Sequence, residues 1–255
     1  MKHQLLFLLF VGLTPFYSCT DPNKEPGPDG NTSGKAGYLV GKVLDQRGNG
    51  VAGATVFTEN TVFKGHGAEV ASKNDGTYQM ALVEGLGQWI ADAYTLVEYN
   101  GKVYKLRLHP ENTESFAVEE KPVRNFEWRI QGRLPDKSLN LYYGGSAELY
   151  PDPNTEIRSE DVEFSFTPEG KLIDGSTGKT LKLSGGKSGS NNHNRIDDIP
   201  IGRYRVTALH KPTGLRLRVG DAWDGDDYFD SVTMEFKGTE ASYRANQMGI
   251  AFTDR

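Results

Sequence analysis

The densest group of chemically capable side chains lies in residues 221–230 (DAWDGDDYFD), which hold five acids and three aromatic residues. Carboxylates in a flexible loop can supply oxygen ligands to Ca²⁺, and Asp221, Asp224 and Asp226 are the candidate ligands. Flat aromatic side chains can instead stack against a sugar ring while nearby carboxylates accept hydrogen bonds from its hydroxyl groups. The glycan-binding interpretation assigns these roles to Trp223, Asp224, Asp226, Asp227 and Tyr228.

A third interpretation of residues 221–230 is a solvated acidic turn, because runs of charged residues usually face water. The loop also lacks the D-x-D-x-D-G spacing and the distal glutamate of an EF-hand. The sequence therefore leaves Ca²⁺ as a weak possibility and predicts no other cofactor and no catalytic residue.

The only cysteine of the chain, Cys19, follows a short apolar segment from Leu5 to Leu13 and the small residue Ser18. That segment is too short to span a bilayer as an anchor. The pattern resembles a bacterial lipoprotein signal peptide, in which the cysteine thiol receives the lipid. An ordinary secretory signal with a coincidental cysteine is the alternative.

The lipoprotein interpretation divides the N-terminal region into two parts. Residues 1–18 are predicted to be the signal peptide, and residues 19–36 are predicted to be a disordered tether, because they are rich in Pro, Gly, Asn and charge and carry no large apolar side chain. The first expected partner is thus a membrane, held through an acyl chain such as palmitate on Cys19. The predicted location is an outer membrane, at the cell surface or on its periplasmic face.

Composition argues against several other functions. Acids outnumber basic residues by 34 to 29, and no run of Lys or Arg is interleaved with aromatics, so no nucleic-acid partner is expected. The histidines are scattered and a G-x-S-x-G elbow is absent. Residues 48–53 (GNGVAG) match G-x-G-x-x-G, but the strand-like run ATVFT follows where a dinucleotide site needs a helix. We therefore predict no enzyme, with a hydrolase as a remote alternative.

The elements that position these side chains are predicted to be β-strands. From Tyr38 onward, short runs of β-branched and aromatic residues are interrupted by Gly, Asn or Asp. The sequence Asn100-Gly101 predicts a tight hairpin turn, since both residues tolerate positive φ. Strands are predicted at 38–45, 53–59, 68–72, 76–83, 88–99, 102–109, 124–132, 141–149, 161–167, 179–183, 203–210, 214–219, 229–237 and 247–253.

Two segments, GKVLDQRGNGVAGATV from Gly41 to Val56 and SKNDGTY from Ser72 to Tyr78, resemble the carboxypeptidase regulatory-like domain. In that family a strand, a glycine turn and a strand with a G-A-x-V pattern precede a turn of D-x-x-G-x-Y type. The resemblance covers roughly residues 37–95. It implies a transthyretin-like sandwich, grouped with carbohydrate-binding-like folds and without an active site of its own, of the kind found in surface lipoproteins of Bacteroidetes-type polysaccharide consumers.

The predicted fold class is all-β, with two Ig-like or transthyretin-like β-sandwich domains in tandem at residues 37–132 and 139–255, behind the signal and the tether. The expected function is non-catalytic binding at the cell envelope, with polysaccharide as the first candidate ligand. A structural or protein–protein role beside a neighbouring envelope protein is the alternative.

Overall fold

The computed structural model describes residues 32–135 and 141–255. The predictions for the signal peptide, for Cys19 and for most of the tether fall outside these residues. Within the described ranges, no helix is long and apolar enough to cross a membrane. Regular structure there consists of β-strands and short 3₁₀ segments at Val118–Glu120, Ser159–Asp161 and Thr239–Arg244. The all-β prediction is confirmed.

The first half of the fold is a sandwich of two four-stranded sheets. Its strands are β1 (Tyr38–Asp45), β2 (Thr55–Asn60), β3 (Glu69–Ala71), β4 (Thr77–Ala81), β5 (Trp89–Tyr99), β6 (Lys102–Arg107), β7 (His109–Pro110) and β8 (Phe126–Trp128). They pair in the orders β4-β1-β8-β7 and β3-β2-β5-β6. Leu39 and Val43 from the first sheet share one buried core with Val56 and Ala93 from the second. Alternate residues of each strand therefore point outward.

The second half is built from one extended network of strands. They are β9 (Gly145–Pro151), β10 (Val162–Pro168), β11 (Leu181–Leu183), β12 (Arg195–Ile199), β13 (Arg203–His210), β14 (Leu215–Asp221), β15 (Val232–Glu235) and β16 (Gln247–Thr253). The order is β11-β10-β13-β14-β16-β9-β12, with β15 also paired to β13. Tyr204 packs at steep angles against Phe166 and Phe236, with ring centroids 6.0 and 6.4 Å away. Such edge-to-face contacts are favourable for aromatic pairs.

Strand β12 is the strand that the sequence did not predict. Its sequence, RIDDI, lacks simple alternation, and its pairing with β9 shifts register between Ile196 and Ile199. Asp198 lies within that irregularity at φ +64°. Its carboxylate accepts hydrogen bonds from the backbone N–H of Gly132 at 2.9 Å and of Gly144 at 3.2 Å. These hydrogen bonds connect the bulge to the end of the first half and to the start of the second.

The β5–β6 hairpin joins the two halves. Asn100 and Gly101 both have positive φ, 49° and 74°, which confirms the predicted turn. Tyr104 and Leu106 of β6 belong to the core of the second half, and the Tyr104 hydroxyl donates a hydrogen bond to the carbonyl of Phe236 at 2.8 Å. Residues 32–255 accordingly form one compact unit with two cores. Separate tandem domains at 37–132 and 139–255 stay a prediction.

The outer edge of β6 is capped at Lys105 by the second half. The backbone N–H of Lys105 donates to the Thr239 hydroxyl at 2.8 Å, and the carbonyl of Lys105 accepts from the Asn246 side chain at 3.3 Å. Side chains thus occupy the backbone groups that an edge strand usually leaves free.

The folded unit begins before residue 37. A Cβ on Gly34 would lie 2.1 Å from the carbonyl oxygen of Lys121, so this residue is in close contact with the fold. The Lys35 ammonium donates to the Gln79 side chain at 3.3 Å. The predicted tether of 19–36 therefore extends too far, because its last residues pack against the sandwich.

Candidate functional site

The acidic loop 221–230 folds back over the outer face of the second half. Trp223 packs on Gly249 of β16, where an added Cβ would stand 2.5 Å from the indole. The Arg244 guanidinium lies over the same ring, 4.5 Å from its centroid, and the indole N–H donates to the Tyr150 hydroxyl at 3.2 Å. Since Gly249 and Arg244 both contact the indole, a sugar ring could stack on Trp223 only by displacing Arg244.

The carboxylates of this loop point in different directions. Asp221 accepts the backbone N–H groups of Trp223 and Asp224 at 2.9 and 3.2 Å, which closes its own turn. The Asp224 carboxylate pairs with Lys237, while Asp226 and Asp227 are exposed. Among the residues that the structure describes, no group of three or more His, Cys, Asp or Glu side chains is placed to hold a metal ion. The candidate Ca²⁺ ligands Asp221, Asp224 and Asp226 are therefore not brought together.

Tyr228 is also engaged within the fold. Its hydroxyl donates to the Asp152 carboxylate at 3.3 Å, and burial, together with the nearby Asp152 charge, raises the pKa of Tyr228. The exposed part of the loop is thus mainly its acids, together with Phe229, which is 52% exposed. This geometry favours the solvated-turn interpretation of residues 221–230.

A different surface has the features of a binding site, on the outward face of the β3-β2-β5-β6 sheet. Its residues define what we call the outer-face groove: Phe57, Glu69, Asp92, Tyr94, Lys105 and Arg107. Strand register creates it, because Phe57 lies opposite both Glu69 and Asp92, and Tyr94 lies opposite Arg107. The cavity over these residues has a volume of about 540 Å³.

The floor of the outer-face groove is aromatic. The rings of Phe57 and Tyr94 are 6.1 Å apart between centroids and inclined by 52°. The Lys105 ammonium lies 3.9 Å from the centroid of Tyr94, which is a cation–π distance. The groove therefore combines flat apolar surface with a fixed positive charge.

Asp92 is the half-buried carboxyl of the groove. Its Oδ1 accepts the backbone N–H of Ala93 at 2.8 Å. Burial raises the pKa of Asp92 above the usual 3.8, although the Ala93 hydrogen bond and the Arg107 charge act in the opposite direction. The ionised Asp92 carboxylate can accept hydrogen bonds from the hydroxyl groups of a polar ligand.

The raised pKa of Asp92 predicts the sign of a pH effect on stability. The charged form destabilises the fold at pH values above the folded-state pKa, and this cost disappears as pH falls through that pKa toward 3.8. The free energy of unfolding of the wild type, relative to Asp92→Asn, should therefore rise on acidification. Urea titrations at a series of pH values measure the difference.

Asp75 provides a control, because its pKa shift is opposite in sign to that of Asp92. Hydrogen bonds from the Thr77 hydroxyl and backbone N–H lower the pKa of Asp75. The stabilisation that the ionised Asp75 carboxylate provides is present above pH 3.8. It is lost as pH falls through the lower folded-state pKa. A difference between wild type and Asp92→Asn that is constant with pH, or that follows the trend of Asp75→Asn, would contradict the assignment for Asp92.

A second cavity continues the outer-face groove. It has a volume of about 400 Å³, shares Asp92 and Arg107 with the first cavity, and is otherwise lined mostly by apolar side chains such as Ile90 and Leu134. At its wall, His109 Nδ1 and the Tyr143 hydroxyl are 2.8 Å apart. Burial lowers the pKa of His109 and raises that of Tyr143 to about 12. The Asp92 and Arg107 pair thus lies between two adjoining cavities.

No family model matches the chain, and no curated protein matches it. The resemblance to the carboxypeptidase regulatory-like domain therefore stays a prediction.

Several solved bacterial structures show a weak similarity to this chain. The Bacillus anthracis TIE protein is 15% identical over 84% of this chain, which spans 33% of that protein, with a TM-score of 0.34. A C-terminal fragment of the pilus adhesin SpaC from Lactobacillus rhamnosus GG is 7% identical over 84% of this chain and 95% of its own, with a TM-score of 0.27. A streptococcal ancillary pilin is 11% identical over 86% of this chain and 62% of its own, also with a TM-score of 0.27. At these TM-scores, no function is transferred to this chain.

Proposed function

We propose that this protein is a non-catalytic, lipid-anchored envelope protein that binds extracellular glycan in the outer-face groove. The observation that carries the proposal is the aromatic floor of Phe57 and Tyr94, flanked by Asp92, Lys105 and Arg107. Sugar rings present apolar faces to aromatic side chains and hydroxyl groups to charged ones. Binding sites in proteins commonly have this composition of apolar lining with a few placed polar groups.

The shape of the groove favours an elongated ligand. The two cavities adjoin at Asp92 and Arg107, so a chain of several sugar units can contact both. Arg107 presents a planar fork of donors suited to hydroxyl or carboxylate oxygens. The ligand class that fits best is therefore an oligosaccharide segment.

Anchoring is the second part of the proposal, with an acyl chain on Cys19 at an outer membrane. Support comes from the signal-like residues 1–18 and from this cysteine being the only one in the chain. Mass spectrometry of protein extracted from membranes should find the acylated residue. An unmodified thiol on the mature chain would contradict it.

The groove assignment predicts the outcome of native gels cast with a panel of polysaccharides. A retarding glycan should lose about fivefold in affinity with Phe57→Ala and again with Tyr94→Ala, because each removes stacking area worth roughly one kcal/mol. Leu215→Ala is the matched control, since Leu215 is an exposed apolar strand residue of the second half.

The same gels discriminate between the two candidate surfaces. Trp223→Ala and Tyr228→Ala should leave retardation unchanged if the glycan binds in the outer-face groove. If these two substitutions abolish retardation and Phe57→Ala does not, the ligand binds at the acidic loop instead. Turnover of any glycan by the purified protein would contradict the non-catalytic part.

A protein ligand is the second candidate function for the same face. Ile90, Leu96 and Val103 are exposed on the outward side of β5 and β6, beside the groove. Exposed apolar side chains on both sides of a groove are typical of protein contact surfaces. If no glycan in a broad panel retards the wild type, this interpretation replaces glycan binding.

A further inference from the structure

The β2–β3 loop (residues 61–68) exposes apolar side chains to solvent, and hydrogen bonds fix its backbone. Val62 is 68% exposed and Phe63 is 51% exposed. The carboxamide oxygen of the fully buried Asn60 accepts their backbone N–H groups at 2.9 and 2.8 Å. The Asn60 amide donates to the carbonyl of Leu86 at 2.9 Å. A buried polar residue thus fixes a loop whose two largest apolar side chains gain little burial within the described fold.

The described chain begins at the same end of the first half as this loop. The carbonyl of Gly37 accepts the backbone N–H of Leu82 at 3.0 Å, and the segment that follows, 83–88, reaches the β2–β3 loop, where Gln88 accepts the backbone N–H of Thr61 at 2.9 Å. Val83, in that segment, is 63% exposed. Exposed apolar residues thus lie on two neighbouring loops at the end where the chain enters the fold.

The number of residues before this end limits its distance from a lipid. Thr32 follows Cys19 by 13 positions, and a chain of that length spans at most about 45 Å when fully extended. An acyl group on Cys19 would keep this end of the first half within about 45 Å of the bilayer surface. Lys64, beside Phe63, is 71% exposed and pairs with Glu59 at 3.5 Å, so this end carries both a cation and an acid.

We propose that the β2–β3 loop, together with Val83, inserts into the interface of the lipid bilayer that holds the anchor. The inference rests on the acylation of Cys19 in the proposed function. An apolar contact between the folded part and the bilayer adds to the binding that the lipid on Cys19 would supply. Insertion at this end also fixes the orientation of the sandwich relative to the membrane.

The test uses the full acylated chain in phosphatidylethanolamine–phosphatidylglycerol vesicles. An environment-sensitive fluorophore is attached at Phe63→Cys in one sample and at Leu215→Cys in the other, both positions being exposed in the fold. Spin-labelled lipid should quench the probe at position 63 about twofold more strongly than the probe at position 215, with a blue shift at position 63 only. Equal quenching at the two positions would overturn the proposal.

A parallel sample separates this inference from the acylation itself. The Cys19→Ser chain is held on nickel-chelating vesicles by an N-terminal hexahistidine tag, so that the loop is tested even if the native thiol proves unmodified. Stronger quenching at position 63 than at position 215 again supports insertion, and Val62→Ser should weaken it. Protection of position 63 that needs added envelope proteins and is absent in protein-free vesicles would overturn the proposal in favour of a protein partner.

Discussion

Replacing Gly76 with alanine should lower the free energy of unfolding by about 3 kcal/mol or more. Gly76 has φ +79°, and an added Cβ would lie 2.2 Å from the carbonyl oxygen of Val43 and 2.9 Å from the Cα of Gly50. The carbonyl of Gly76 also accepts the backbone N–H of Val43 at 2.9 Å, so the turn cannot move away without breaking that bond. Urea unfolding followed by tryptophan fluorescence measures the loss.

Gly48→Ala is the matched control for this prediction. Gly48 has a similar φ, +83°, but no atom lies within 4 Å of its added Cβ. Gly48→Ala should therefore lower the free energy of unfolding only by the cost of a left-handed backbone conformation, about 1–2 kcal/mol. Equal losses in the two variants would mean that backbone conformation alone, and not the close approach of β1, requires glycine at position 76.

Tyr104→Ala should destabilise the protein by about 3–5 kcal/mol, because it removes a large, fully packed ring from the core of the second half. Tyr104 lies on β6, in the first half of the chain, and is 1% exposed. Tyr104→Phe should lose only about 1 kcal/mol, since Lys102 still donates to the Phe236 carbonyl at 3.4 Å.

Val103→Ala is the control for the hairpin, because this neighbour on the same strand is exposed and its loss should be within about 0.5 kcal/mol. Hydrogen exchange locates the effect of Tyr104→Ala. Amides of β15 and β16 should exchange faster, although the substituted residue belongs to β6. Unchanged exchange in those strands would contradict the role of the hairpin in joining the two cores.

The sequence predicted most strands because the local pattern determines them. Alternating burial in β4 (Thr77–Ala81) and β13 (Arg203–His210) is visible as alternating residue type, and the Asn100-Gly101 turn requires only two adjacent residues. Strand β12 was missed because its bulge at Asp198 interrupts the alternation. Its stabilising contacts, with Gly132 and Gly144, are distant in sequence.

The candidate site was less predictable because it depends on pairing between separated strands. The composition of residues 221–230 predicts a candidate binding loop, but composition does not show that Trp223 packs on Gly249. The outer-face groove places Glu69, Phe57 and Asp92 in one row across three strands. The alternation of β5 (Trp89–Tyr99) indicates that Asp92 and Tyr94 share a face. Only the register shows which residues lie beside them.

The capping of Lys105 on β6 by Thr239 and Asn246 has a consequence for how these molecules behave when crowded on one surface. The free backbone groups of an uncapped strand of this length would pair with a strand of a neighbouring copy. Repeated pairing of this kind would form a fibre. At the opposite border of the same sheet, β3 offers a template of only three residues. Strand addition at either border of this sheet is therefore disfavoured.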